Sequence, residues 1–66
     1  MIKYSFWLHD EELCHPRWVI VQYCLNDEHA KQYADRAWRQ FSSCDWLRAL
    51  EVRGPKGRQP IYELKR

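Results

Sequence analysis

A chain of 66 residues has room for one domain. At that length folding buries only about 60% of the surface the unfolded chain exposes, so stability on the order of 3–10 kcal/mol is expected, too thin a margin for a deep, strained active-site cavity. The net charge of +2 is unevenly placed. Residues 1–52 hold six Lys/Arg against eight Asp/Glu, whereas residues 53–66 hold Arg53, Lys56, Arg58, Lys65 and Arg66 against Glu63 alone.

Residues 2–9 alternate, with Ile2, Tyr4, Phe6 and Leu8 on one face and Lys3, Ser5, Trp7 and His9 on the other, which predicts a strand. Residues 10–16 are polar, end in Pro16 and read as a connection. Residues 17–25 are β-branched and aromatic, a second strand with Val19, Val21, Tyr23 and Leu25 to one side and Trp18, Ile20, Gln22 and Cys24 to the other. Asn26 suits a helix N-cap, and Asp27 and Glu28 then lie at the positive end of the helix dipole. Ala30, Tyr33, Ala34, Ala37, Trp38 and Phe41 follow the rhythm of one apolar helical face, and Ser42-Ser43 ends it. Asp27 with Lys31 and Asp35 with Arg39 are spaced to form ion pairs on the wet side.

Residues 44–53 read as a third strand, with a bulge or twist near Arg48 because Leu47 and Ala49 suggest one facing and Leu50 and Val52 the other. Residues 54–60 are a turn-rich hairpin loop, and residues 61–64 return as a short strand with Tyr62 and Leu64 sharing a face. The expected fold is a small α+β domain in ββαββ order, residues 1–66, with one amphipathic helix packed on an antiparallel sheet.

A single helix covers one face of such a sheet. With Tyr4, Phe6, Val19, Val21 and Tyr23 beneath it, Trp7, Trp18 and Ile20 fall on the uncovered side, an apolar cluster of the kind that marks an interface. The alternative is that loops fold over these side chains. Ten aromatics exceed what so small an interior encloses, so some are expected at the surface.

Catalytic and metal chemistries lack their parts. His9, Cys14, His15, Cys24, His29 and Cys44 are ligand types, but their spacing does not present close pairs to one ion. His9-Asp10-Glu11 matches the His-x-Glu half of the zinc deaminase signature, while the Pro-Cys-x-x-Cys half is absent. Cys14-His15 is the one compact nucleophile–base candidate, and its acidic neighbours disfavour a thiolate. Both glycines lie in Gly-Pro-Lys-Gly, where Pro removes a donor that a phosphate-cradling loop needs. A small nuclease using His9 or His15 with Arg17 is the enzymatic alternative. No catalytic set, metal or cofactor is expected.

Binding is the leading expectation. Aromatic residues and Arg dominate interface hot spots, which makes Trp7, Trp18, Ile20 and Trp46 the anchors toward a partner, with Trp38 assigned to the core. Arg53, Lys56, Arg58, Lys65 and Arg66 form a basic region that steers toward an acidic protein or contacts nucleic acid directly. The expected partner is a larger host protein or nucleoprotein complex, with a homodimer through the open sheet face as a further candidate. Small phage and mobile-element accessory proteins that block host machinery, anti-CRISPR inhibitors among them, share this size and economy, although no motif carries the comparison. Three cysteines without framework spacing point to a reduced, cytoplasmic setting. No apolar run approaches the roughly 20 residues of a membrane span, and the first ten residues are too interrupted for a signal peptide.

Overall fold

The computed structural model describes residues 1–11, 15–57 and 59–66. They form β1 (Ile2–His9), β2 (Trp18–Cys24), α1 (Asp27–Gln40), β3 (Ala49–Arg53) and β4 (Tyr62–Lys65), the expected ββαββ order. The strands make one antiparallel sheet in the order β2-β1-β3-β4, so β1 and β3 are central and β2 and β4 are the edges. Among the described residues no helix is long and apolar enough to cross a membrane.

Alternation in β1 sends Tyr4, Phe6 and Leu8 under the helix, where all three are fully buried. Directly opposed residues share a face, so the pairs Phe6 with Val52, Leu8 with Leu50 and Leu50 with Leu64 extend that apolar layer across β3 and β4. From above, α1 contributes Ala30, Ala34 and Ala37, all buried. Their small side chains let the helix backbone settle close to the sheet, and Tyr33 reaches down to Phe6 with ring centroids 4.8 Å apart.

The helix begins where local chemistry dictates. The Asn26 side-chain oxygen accepts from the His29 backbone N–H at 2.8 Å, and His29 Nδ1 in turn accepts from the Leu25 N–H at 2.9 Å. His29 stands where a capping box uses Glu, but its imidazole takes the N–H of Leu25, one residue before the cap. At the other end Phe41 is the C-cap, its N–H donating to the Ala37 carbonyl at 2.9 Å.

Three expectations need correction. Residues 44–48 are not strand: Cys44 N–H donates to Phe41 O and Leu47 N–H to Cys44 O, so turns carry the chain while Leu47 drops into the core. The imperfect alternation there is a turn signal rather than a bulge. Next, Asp27 and Asp35 do not pair with Lys31 and Arg39. Tyr4 OH donates to Asp27 Oδ1 at 2.6 Å and Tyr62 OH to Asp35 Oδ1 at 2.7 Å, while Lys31 lies 6.0 Å over the Tyr62 ring. Sheet tyrosines beneath the helix outcompete flexible, solvated cations.

The third correction concerns β2. Its register sets Ile20 opposite Phe6 and Trp18 opposite Leu8, which puts Trp18, Ile20 and Cys24 on the helix side. Cys24 is buried and Ile20 packs against the core. Trp18 leans on Phe41 at the far end of the helix, ring centroids 6.4 Å apart, and stays 55% exposed. Val19, Val21 and Tyr23 therefore occupy the open face, the reverse of the expected facing for Trp18 and Ile20. Apart from Gln22 both alternating sets of β2 are apolar, so the register decides between them.

The two tyrosine–aspartate bonds hold the helix to β1 and β4, and they carry a pH signature. The hydrogen bond to Asp27, reinforced by burial and the carboxylate charge, pushes the Tyr4 phenol from its ordinary 10.0 up to about 12. The bond to Asp35 raises Tyr62 in the same direction. Both phenols ionise more readily in the unfolded chain, so this stabilisation is complete below about pH 10 and is lost as pH rises toward about 12. Denaturation midpoints measured from about pH 9 to about pH 12 should fall in the wild type, and less steeply in Tyr4→Phe. Parallel declines in the two proteins would show that Tyr4 does not carry the effect.

Candidate functional site

The sheet face away from the helix has two halves. Its centre is a polar chain built on β1 and β3. Trp7 Nε1 donates to Ser5 Oγ at 2.9 Å, which ties the indole to its own strand. The Arg53 guanidinium lies over that indole, its Cζ 3.9 Å from the ring centroid. Arg53 also grips Glu51 Oε2 through Nη2 at 2.9 Å and Nε at 3.3 Å. The other oxygen of Glu51 lies 3.2 Å from His9 Nε2. That approach lacks hydrogen-bond alignment, and neither His9 ring nitrogen has a hydrogen-bond partner among the described residues, although His9 is only 2% exposed.

The second half is apolar and lies on β2. Val19, Val21 and Tyr23 are 40%, 50% and 53% exposed, and Val19 sits directly opposite Trp7. Trp7, half-buried under Arg53, joins the two halves. Exposed Val and Tyr side chains beside the half-buried Trp7, rimmed by Lys3, Ser5 and Arg53, have the apolar centre and polar border of a contact surface.

The anchor residues inferred from sequence are thus dispersed. Trp7 lies on the open face, Trp18 and Ile20 lie on the helix side, and Trp46 lies beyond the sheet in a cleft of about 290 Å³ with Asp10, Glu11, Arg17 and Arg48. Arg17 stacks on Trp46 at 4.8 Å, and Arg48 Nη2 is 3.7 Å from Glu11 Oε1. Two acids and two arginines cancel in that cleft, which gives phosphate little net attraction. Among the described residues neither His9 nor His15 lines it, so Arg17 is not joined there by the histidine that a nuclease reading requires.

Among the described residues Arg53, Lys65 and Arg66 make separate contacts rather than one basic finger. Arg53 is held by Trp7 and Glu51 on the sheet. Lys65 Nζ lies 3.5 Å from Glu63 Oε2. Arg66 Nη2 donates to the Ser42 carbonyl at 2.8 Å and its guanidinium sits 5.9 Å from the Trp38 ring, a contact that ties the last strand to the helix end. Lys56 is exposed in the β3–β4 turn, and Arg58 lies outside the described residues.

Among the described residues no three His, Cys, Asp or Glu side chains converge as a metal-binding group, and Cys14 lies outside those residues. Burial pushes the Cys24 thiol up from its ordinary value, which keeps it protonated and poorly nucleophilic. Sequence reasoning missed Val19, Val21 and Tyr23 as surface residues, and missed the Glu51 link between Arg53 and His9. The available signal was that residues 18–25 contain no charged side chain at all.

No protein-family model, curated protein or solved structure matches the chain.

The guanidinium stack makes a measurable claim. An exposed cation–π contact contributes about 0.5–1 kcal/mol, and the partly exposed pair with Glu51 adds at most about 1 kcal/mol. Arg53→Ala should therefore lower stability by about 1 kcal/mol in urea titrations followed by Trp fluorescence, and Arg53→Lys should recover only part of that because an ammonium cannot lie flat on the ring. An unchanged midpoint in Arg53→Ala would mean the open face is not organised by this contact.

Proposed function

We propose that this domain acts by binding rather than catalysis, as an inhibitor or modulator of a larger protein or nucleoprotein complex in a reducing, cytoplasmic setting. The observation that carries this reading is the open sheet face, where Val19, Val21 and Tyr23 stand roughly half exposed beside a Trp7 already fixed by Ser5 and Arg53. A side chain held in one rotamer before contact loses little entropy on binding, which is why such aromatics make efficient anchors. Arg53 belongs to the same surface and brings a cation to its polar edge.

Nucleic-acid binding through residues 53–66 is the competing reading. It draws support from Lys56, exposed at the hairpin turn, together with the surplus of basic residues in that segment. It is weakened by the internal contacts of Arg53, Lys65 and Arg66, which disperse the positive charge. Among small accessory proteins of phage and mobile elements, anti-CRISPR-like inhibition is the most concrete form of the binding reading.

The two readings separate in a pull-down from host lysate run with and without nuclease and at low and high salt. A protein partner should survive nuclease and salt, and should be lost in Trp7→Ala/Tyr23→Ala while Lys56→Ala/Arg58→Ala leaves it. Recovery of nucleic acid that falls steeply with salt and disappears in Lys56→Ala/Arg58→Ala would replace the first reading with the second. Capture unaffected by either pair of substitutions would remove the open face and the basic segment together.

A further inference from the structure

The two edges of the sheet are built differently. β4 is four residues long, carries Glu63 and Lys65, and follows Pro60, so charge and brevity blunt it against strand addition. β2 is seven residues, Trp-Val-Ile-Val-Gln-Tyr-Cys, without a charge, proline or glycine. Protected edges ordinarily carry at least one of these devices, and an uncharged β-branched edge is a template for another strand.

Among the described residues, the ladder shows which backbone groups of β2 have no partner on that edge. Leu8 O accepts from Arg17 N–H toward β2, whereas His9 O accepts from Arg48 N–H toward β3, each at 2.8 Å. Alternation along β1 then pairs Ile20 and Gln22 inward through Phe6 and Tyr4, so the N–H and C=O groups of Val19, Val21 and Tyr23 point outward. These are the same three residues whose side chains stand on the open face.

We infer that the β2 edge is completed by β2 of a second copy of this chain, running antiparallel about a two-fold axis at Val21. The sequence around that axis is self-complementary. Val21 faces the partner's Val21, and Val19 and Tyr23 each face the other, so every outward-pointing residue meets an uncharged outward-pointing residue. β-branched–aromatic and β-branched pairs of this kind favour antiparallel pairing, and no like charges are brought together. A register shifted by one residue would set outward groups against groups already paired to β1. The product is a continuous eight-stranded sheet with one helix per copy on the covered side. Its open side doubles the apolar strip and leaves Trp7 and Arg53 accessible on both flanks.

The axis at Val21 gives the test its form. Wild-type protein should show a reversible, concentration-dependent dimer in sedimentation velocity, insensitive to salt because no ion pair holds it. Val21→Lys and Val21→Glu each oppose like charges on the axis and should weaken the dimer by about tenfold or more. An equimolar mixture of the two variants should restore the dimer, now in a salt-sensitive form, and that restoration excludes misfolding as the cause of the single-variant loss. Far-UV circular dichroism of each variant checks the monomer fold directly. A wild type that stays monomeric to about 1 mM, or single variants that dimerise as well as wild type, would overturn the pairing. A mixture that stays monomeric while both variants are folded would overturn the Val21 axis. The pairing does not rest on the proposed partner: a monomer that still captured one through Trp7 and Tyr23 would overturn the pairing alone.

Discussion

Three alanines on one side of a fourteen-residue helix, buried in one cluster with Tyr4, Phe6, Leu8, Leu50 and Val52 of the sheet, make the core on which the rest of this molecule depends. In so short a chain one interface must provide most of the buried apolar area, and small residues on the helix allow it to approach closely enough for Tyr33 to meet Phe6. Two hydrogen bonds from sheet tyrosines to Asp27 and Asp35 then fix the rotation and slide of the helix. Long carboxylate–ammonium pairs on the solvent side would hold the helix less well, because each loses side-chain entropy for little gain in a screened environment.

Because the single helix covers one face, the other must be stabilised by its own side chains. The chain from Ser5 through Trp7, Arg53 and Glu51 toward His9 does this with a cation–π contact and charge-assisted bonds. It uses Arg53, which sequence alone assigns to a cationic partner surface, as part of the internal frame. Arg66 behaves likewise at the end of α1. Positive charge concentrated along the sequence is thus distributed in space, and the feature that stands out is instead a neutral one: the uncharged β2 edge with its exposed valines and tyrosine.

What was legible in the residues was local. The Asn26 cap, the alanine-based helical stripe, the alternation of β1 and the turn chemistry between β3 and β4 each follow from chemistry within a few positions, and each stands where it was expected. Residues 44–48 misled because an apolar run with broken alternation is compatible with strand or with turns, and the decision came from Leu47 finding room in the core. Asp27 and Asp35 misled because their nearest cations in sequence are four positions away, whereas their tyrosine donors lie 23 and 27 positions away.

By itself, then, the sequence determined that this chain forms ββαββ elements with a single helix to pack on the sheet, since periodicity and capping are properties of neighbouring residues. Tertiary structure alone decided which side chains of β2 look outward. Trp18, Ile20 and Cys24 are as apolar as Val19, Val21 and Tyr23, so burial preference is balanced between the two sets. The register that places Phe6 opposite Ile20 breaks the tie, and a slip of one residue would have exchanged the faces.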